Sequence, residues 1–204
     1  MTGTVHVVDD DEAVRDSLRF LLEREGFAVQ TYGDARALLA TALPPAGCVL
    51  TDFRMPEIDG LQLQAQLANR GARLPVIVMT AHGDVPVAVR ALKAGAVDFL
   101  EKPFDDGELV DAVRRALDAN RDALACAMAA ETATQKLARL TPRELDVLDL
   151  VVAGKSNKEI GRTLGTSPRT IDVHRARVFH KLEAESLPDL VHLVLTAKAG
   201  ATVR

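Results

Sequence analysis

The sequence predicts an α/β domain with a doubly wound, five-stranded parallel sheet, followed by a smaller all-α domain of four helices. Strand and helix patterns alternate over residues 1–122, which is typical of a parallel sheet covered by helices on both faces. Short helices with sharp caps follow over residues 138–204. The segment 123–137 contains neither Gly nor Pro and is rich in Ala, so we expect a helical linker there.

Five short apolar runs predict buried parallel strands, and the amphipathic stretches between them predict helices. The predicted strands are Thr4–Val8, Ala28–Tyr32, Cys48–Thr51, Leu74–Met79 and Val97–Leu100. The predicted helices include Asp34–Leu43, Gly60–Asn69 and Val85–Ala94, together with a first helix that has Val14, Leu18 and Leu22 on one face. A fifth helix runs from Glu108 toward Leu140, and the weak apolar pattern beyond Leu117 leaves open whether it is continuous or broken.

Capping signals mark the helices of the second domain. Thr141-Pro-Arg-Glu144 and Ser156-Asn-Lys-Glu159 each place Thr or Ser three residues before Glu, which predicts two helix starts. A third helix begins after Ser167 and runs to about Leu182, and a fourth follows Ser186-Leu-Pro188. Short capped helices separated by Gly turns match a helix-turn-helix, whose second helix enters the major groove of DNA.

Charge and composition limit the partners of the chain. The formal net charge is −4, but residues 1–135 carry 13 Lys and Arg against 21 Asp and Glu, whereas residues 136–204 carry 12 against 8. This asymmetry suggests different partners for the two parts. No apolar run approaches the ~20 residues that cross a bilayer, and the N-terminus lacks a signal-peptide pattern. We therefore expect a cytoplasmic protein with no membrane partner.

Three carboxylates follow the predicted strands. Asp9 and Asp10 come directly after the first strand, and Asp52 comes after the third. If these strands are neighbours, the carboxylates converge at one edge of the sheet, where like charges repel unless a cation intervenes. Mg²⁺ is the natural partner because it prefers oxygen ligands. It would neutralise charge while Asp52 attacks a phosphoryl group to form an aspartyl phosphate.

Two more side chains are expected at the same edge. Lys102 follows the fifth strand and would supply a positive charge for phosphoryl oxygens. Thr80 ends the fourth strand and offers a hydroxyl. Any one of these residues alone is more often a solvated loop residue, but five such residues at the ends of four strands favour a site.

The motifs around these residues resemble the receiver domain of two-component response regulators, which has a CheY- or flavodoxin-like fold, over about residues 3–122. They are Val-Val-Asp9-Asp10-Asp11, Thr51-Asp52-Phe-Arg-Met-Pro56 with Asp59-Gly60, Met79-Thr80-Ala81 and Asp98-Phe99-Leu-Glu-Lys102-Pro103. The resemblance implies that a partner histidine kinase phosphorylates Asp52. It also implies that Asp9, Asp10, Asp52 and the main-chain carbonyl of Arg54 hold Mg²⁺, with Mn²⁺ or Ca²⁺ as substitutes in the site.

The resemblance further implies a conformational switch. Thr80 and Phe99 correspond to the switch pair of the family, Lys102 to its phosphoryl-contacting lysine, and Arg54 and His82 to positions that tune dephosphorylation. Phosphorylation would draw Thr80 toward the phosphoryl group while Phe99 turns inward. The expected homodimer surface comprises Val85, Ala88, Val89, Lys93 and Ala96, although burial in the core is an equally open interpretation for its apolar members.

The third helix of the second domain, Ser167–Leu182, is the predicted recognition helix, with Ile171, Val178 and Leu182 facing the core. The candidate DNA contacts are Lys158, Arg169, Thr170, Asp172, Val173, His174, Arg175, Ala176 and Arg177. The Arg side chains, Thr170 and His174 suit phosphate contacts, although each Arg also fits a solvated helix face, and His174 fits a packed or capping position. Asp172 suits a cytosine amino group, and Val173 and Ala176 suit thymine methyl groups.

The motifs of this domain closely resemble the LuxR-type four-helix DNA-binding domain over about residues 137–200. They run from Leu140-Thr-Pro-Arg-Glu144 through Gly154-Lys-Ser-Asn-Lys-Glu-Ile160 to Ile171-Asp-Val-His174. With the receiver motifs, the chain resembles the FixJ-type regulators. This implies homodimerisation on phosphorylation, with two recognition helices on inverted half-sites of double-stranded DNA, and RNA polymerase as a further partner.

Two alternatives stay open. Phosphatases of the haloacid dehalogenase type also use a nucleophilic Asp with Mg²⁺, but they need a second carboxylate where this chain has Arg54. The other alternative is a DNA-binding transcription factor that works independently of phosphorylation. We expect a transcription regulator and not an enzyme for an external substrate, with autodephosphorylation as its only further chemistry.

Overall fold

The computed structural model describes residues 3–81 and 85–202, without the side chains of residues 85–87, 201 and 202. The chain divides after Leu124 into two compact units. In the described ranges, no helix combines the length and the apolar character that a membrane span requires.

The first unit is built on a five-stranded sheet in which all neighbouring strands are parallel. The strands are β1 (Thr4–Val8), β2 (Ala28–Tyr32), β3 (Gly47–Asp52), β4 (Val76–Thr80) and β5 (Asp98–Glu101), in the order β2-β1-β3-β4-β5. The register pairs Val8 with Thr51, Asp52 with Met79, and Thr80 with Glu101. The carboxyl ends of β1, β3, β4 and β5 therefore lie side by side, and the predicted fold class is confirmed.

Five helices connect and extend these strands. They are α1 (Glu12–Arg24), α2 (Ala35–Ala40), α3 (Gly60–Asn69), α4 (Val85–Lys93) and α5 (Asp106–Leu137). The prediction for α2 was three residues too long, because Thr41 is already extended and Leu43 precedes Pro44, a position that disfavours helix. The question left open for α5 is answered by one uninterrupted helix to Leu137.

Two apolar clusters hold the helices on opposite faces of the sheet. The first cluster contains Val5, Val7, Leu50, Ile77 and residues of α1 and α5 such as Leu22 and Leu109. The second cluster contains Val8, Val49, Val78 and residues of α2, α3 and α4 such as Leu38, Leu63 and Ala91. Successive strand residues enter opposite clusters because side chains alternate across a strand. Burial on both faces fixes the strands whose ends carry the candidate site.

The second unit contains four helices after the end of α5: α6 (Pro142–Val152), α7 (Asn157–Leu164), α8 (Pro168–Leu182) and α9 (Leu187–Thr202). Both predicted capping boxes are present, at Thr141 and Ser156. Gly165 ends α7 in the left-handed conformation, φ +65°, which Gly adopts without steric cost. The core of this unit includes Val147, Leu148, Ile160, Ile171 and Leu190.

Candidate functional site

The ends of β1 and β3 bring two buried carboxylates to one lysine. Asp9 directly follows β1 and is 2% exposed, and Asp52 ends β3 and is 9% exposed. Lys102, which follows β5, places its Nζ 2.7 Å from Asp9 Oδ2 and 2.7 Å from Asp52 Oδ1. The parallel register brings the three residues together at the carboxyl edge of the sheet, where ligands bind in folds of this kind.

Backbone groups orient both carboxylates toward Lys102. The second oxygen of Asp9, Oδ1, accepts a 3.0 Å hydrogen bond from the backbone N–H of Asp11. The second oxygen of Asp52, Oδ2, accepts a 2.7 Å hydrogen bond from the backbone N–H of Arg54. Each carboxylate therefore has one oxygen fixed by the main chain and one directed at the ammonium group.

Lys102 stays protonated in this position. Burial of Nζ lowers the pKa of Lys102, but the hydrogen bonds and charges of Asp52 and Asp9 outweigh burial and raise the pKa above its ordinary value. The site thus places the protonated amine of Lys102 between the carboxylates of Asp9 and Asp52.

The remaining predicted residues of this edge lie at different depths. Thr80 is buried at the end of β4, and its carbonyl accepts a 2.7 Å hydrogen bond from the backbone N–H of Lys102. Phe99 in β5 is half-buried and packs against the second cluster. Asp10 is exposed at the surface. His82 lies outside the described residues.

Gly60, the first residue of α3, packs closely against the backbone of Asp52. A Cβ atom at this position would lie 2.6 Å from the carbonyl oxygen of Asp52. Asp59 caps α3 with a capping box that includes Gln62. The start of α3 therefore packs directly against the strand end that carries Asp52, and any larger side chain would displace one of the two.

The predicted dimer surface is partly exposed. Val89 is 42% exposed, Lys93 is exposed and Ala88 is half-buried. Ala96 packs inside the second cluster, so it does not belong to the exposed part of this surface. The side chain of Val85 lies outside the described part of the chain.

The recognition helix α8 turns Ile171, Val178 and Leu182 into the core, as predicted. Seven of the predicted DNA contacts are exposed: Lys158, Arg169, Thr170, Asp172, Val173, Ala176 and Arg177. The other two, His174 and Arg175, are half-buried. His174 Nδ1 is buried and makes no hydrogen bond to any described residue, which suits a packed position better than a phosphate contact.

The residue that the motifs did not single out is Asn157, at the start of α7. Its Nδ2 donates a hydrogen bond to Asp172 Oδ1, and its Oδ1 accepts a 2.9 Å hydrogen bond from Arg175. Asn157 lies inside the motif Ser156-Asn-Lys-Glu159, which indicated a helix start and nothing about α8. The contact depends on side-chain geometry between two helices, so no local pattern reveals it.

Both parts of the chain match families of known proteins. A model of the response regulator receiver domain matches residues 5–114, and a model of bacterial regulatory proteins of the luxR family matches residues 138–194. The chain is 50% identical over 194 residues to the transcriptional regulatory protein FixJ of Azorhizobium caulinodans, which covers 95% of this chain and 92% of the relative. The chain belongs to the FixJ-type response regulators.

Solved structures resemble this FixJ-type regulator over nearly its whole length. The response regulator StyR matches with a TM-score of 0.83 and 42% identity, covering 95% of this chain and 98% of StyR. Full-length FixJ from B. japonicum matches with a TM-score of 0.59 and 43% identity, covering 98% of each chain. The regulator therefore joins a receiver domain to a DNA-binding domain and is a transcription factor, not a typical enzyme.

Receiver domains generally bind Mg²⁺ at the phosphorylation site, and the carboxylates of this regulator fit that ion by the chemistry of their donors. Asp9 and Asp52 direct one carboxylate oxygen each to the same Lys102 Nζ, so both face a common position. Hard oxygen donors of this kind are the ligands that Mg²⁺ prefers. Among residues 3–81 and 85–202, however, no three His, Cys, Asp or Glu side chains already form a metal-binding cluster.

Proposed function

We propose that this regulator accepts a phosphoryl group on Asp52 from a partner histidine kinase in the presence of Mg²⁺, and that the phosphorylated form dimerises and binds specific DNA sequences to control transcription. The observation that carries the proposal is the pair of 2.7 Å contacts of Lys102 with Asp9 and Asp52. Buried carboxylates that share one ammonium group at the end of a parallel sheet suit a charged ligand better than a structural role.

Asp52 is the acceptor in this proposal because its environment supports attack by one oxygen. Oδ2 is held by the backbone N–H of Arg54, and Oδ1, which faces the ammonium group of Lys102, is the proposed nucleophile. Oδ1 forms the bond to phosphorus while the bond to the donor imidazole breaks, and Lys102 donates hydrogen bonds to the phosphoryl oxygens.

The proposed metal ligands are Asp9, Asp10, Asp52 and the main-chain carbonyl of Arg54, with Mn²⁺ or Ca²⁺ as substitutes for Mg²⁺. When bound, the ion offsets the negative charge of the carboxylates and the incoming group. Asp10 is exposed, so it is free to turn toward an ion without loss of packing.

The proposed switch links the site to the α4–β5 surface. Thr80 donates its hydroxyl to a phosphoryl oxygen, and Phe99 moves deeper into the second cluster, against which it already packs. Val89 and Lys93, which are exposed, and Ala88 then contact a second copy of the chain. The phosphoryl group stabilises the arrangement with Phe99 turned inward more than the other arrangement, and this difference supplies the free energy for the switch.

DNA binding is assigned to the exposed face of α8. Arg169 and Arg177 provide phosphate contacts, and Val173, which is 47% exposed, and Ala176 provide apolar contacts to thymine methyl groups. We further propose a cytoplasmic location, contact with RNA polymerase at promoters, and functional domains of residues 1–122 and 138–204 joined by the helical segment 123–137.

The intact mass of the protein after incubation with acetyl phosphate and Mg²⁺ tests the acceptor. The wild type is expected to gain one phosphoryl group, which chelation of Mg²⁺ prevents, and Asp52→Asn is expected to gain none. Asp16→Asn, at an exposed position paired with Arg19, is the matched control and is expected to behave as the wild type. Phosphorylation of Asp52→Asn to the wild-type level would refute the proposal.

A further inference from the structure

Asn157 connects an acidic and a basic residue of the recognition helix. Its amide nitrogen donates to Asp172 and its amide oxygen accepts from Arg175 at 2.9 Å. Asp172 and Arg175 are three positions apart on α8, yet no ion pair joins them directly in the described structure. The side-chain amide of Asn157, on α7, lies between Asp172 and Arg175 of α8 and is hydrogen-bonded to both.

This arrangement fixes the direction of the Asp172 carboxylate. Asp172 Oδ1 is held by Asn157, whereas Oδ2 accepts no hydrogen bond from any described residue. The Asp172 side chain is exposed on the surface of α8. A carboxylate that keeps one oxygen fixed presents the other at a defined angle. Fixed acceptors discriminate between bases better than mobile ones, because less conformational freedom is lost on binding.

The negative charge of Asp172 makes the orientation of its carboxylate important for DNA binding. A carboxylate on a recognition helix faces repulsion from the DNA phosphates, so it favours binding only where it meets a hydrogen-bond donor. Base amino groups in the major groove, on cytosine N4 above all, are the donors that suit it. Arg175, held on the other side of the same amide, keeps a positive charge next to the carboxylate.

We infer that Asn157 is a positioning residue for base recognition. It orients Asp172 so that Oδ2 accepts a hydrogen bond from a base amino group, and it gives the DNA-binding domain a sequence preference at one base pair of each half-site. This inference rests on the proposed DNA-binding function, and it concerns sequence preference instead of overall affinity. Asn157 itself contacts no base.

The test measures the affinity of the activated full chain for a selected DNA site and for variants of that site with each base pair replaced in turn. The wild type is expected to lose about tenfold in affinity at the base pair contacted by Asp172. Asp172→Ala and Asn157→Ala are expected to bind all four bases at that position about equally, while preferences at the other positions remain. Asn157→Asp, which has the same shape but repels Asp172, is expected to lose the preference as well.

Controls separate positioning from folding. Thr163→Ala on the same helix removes a hydroxyl that bonds to the Glu159 carbonyl of its own helix, and it is expected to keep the wild-type preference. Unchanged thermal unfolding of Asn157→Ala excludes a folding defect. A uniform loss of affinity for every sequence, or an unchanged preference, in Asn157→Ala would overturn the inference. If the wild type itself binds all sequences equally, the proposed function fails instead.

Discussion

Lys102 Nζ lies 2.7 Å from Asp52 Oδ1, although the two residues are 50 positions apart in the sequence. The same ammonium group is 2.7 Å from Asp9 Oδ2. The site of the receiver domain thus contains one cation, directly after β5, and two anions, one directly after β1 and one at the end of β3. Because both carboxylates are buried, the lysine has a structural role in addition to its proposed contact with the phosphoryl group.

Replacing Lys102 by Met removes the charge that balances the two carboxylates. The receiver domain is expected to lose about 2 kcal/mol or more of its free energy of unfolding, because two buried anions then repel without compensation. Millimolar Mg²⁺ is expected to restore more stability to Lys102→Met than it adds to the wild type, since an ion that binds only the folded state stabilises it. Urea unfolding with and without Mg²⁺ measures both effects, and equal Mg²⁺ responses would contradict the expectation.

Replacing Gly60 by Ala places a methyl group against the strand that carries Asp52. The Cβ atom would lie 2.6 Å from the Asp52 carbonyl oxygen, so α3 and the end of β3 must move apart at a cost of about 1–3 kcal/mol. We expect slower phosphorylation by acetyl phosphate as well as lower stability. Gly107→Ala is the matched control, since its Cβ meets no atom closer than 3.8 Å. If Gly60→Ala matches this control in stability and rate, α3 and the end of β3 accommodate the methyl group without cost, contrary to this prediction.

Asn120 ties α5 to two loops at the amino-terminal edge of the sheet. Its side chain accepts from the backbone N–H of Gly47 at 3.0 Å and donates to the carbonyls of Pro45 and Arg73. Asn120→Ala removes these three hydrogen bonds, and we expect a loss of about 2–3 kcal/mol in the stability of the receiver domain. Asp118→Ala, two residues earlier on α5 and exposed, is expected to change stability by less than about 0.5 kcal/mol. Chemical denaturation of both variants provides the comparison.

Glu144 makes the stability of the DNA-binding domain depend on pH in the acidic range. The hydrogen bond from Lys181 and the backbone hydrogen bond from Thr141 lower the pKa of this buried carboxyl to about 2, from 4.5. A lowered pKa stabilises the folded state above pH 4.5, and that stabilisation is lost as the pH falls from 4.5 toward 2. Glu144→Gln is expected to destabilise the domain by about 1–3 kcal/mol at pH 7 and to flatten its stability profile between pH 4.5 and 2. Urea unfolding at several pH values tests this, and an unchanged slope in that range would contradict it.

Arg177 is exposed on α8 and is expected to contact a DNA phosphate. Arg177→Ala should weaken binding to all sequences by a similar factor, and it should reduce the slope of log affinity against log salt concentration by about 1. Arg121→Ala, in the receiver unit, should leave both quantities unchanged. A sequence-dependent loss would assign Arg177 to a base edge.

The fold and the convergence of charged residues followed from the sequence because each depends on a repeated pattern. Short apolar runs alternate with amphipathic helices, and the ends of parallel strands meet at one edge, so Asp9, Asp52 and Lys102 were expected together. The direct contact of Lys102 with both carboxylates agrees with that expectation in position. The starts of α6 and α7 were also predictable, because a capping box is a motif of four consecutive residues.

Features that depend on side-chain geometry between distant elements were not predictable in this way. The bridge from Asn157 to Asp172 and Arg175 spans two helices, and a spacing of 15 or 18 residues carries no helical or strand period. His6 is fully buried in β1 and lies 3.2 Å from the hydroxyl of Tyr32. The apolar run predicted a buried strand there, but not this contact between side chains of two strands. Ala96 belongs to the core because the chain turns back at the end of α4, where the N–H of Ala96 donates to the carbonyl of Ala91 and both residues pack in the second cluster.

The central claim is that phosphorylation of Asp52 controls DNA binding, and the affinity of the full chain for a selected DNA site measures it most directly. Fluorescence anisotropy with Mg²⁺, with and without beryllofluoride, is expected to show tighter binding and a larger dimer fraction for the activated wild type and no change for Asp52→Ala. Equal affinity of the wild type with and without beryllofluoride would contradict the claim and would favour a transcription factor that binds DNA independently of phosphorylation.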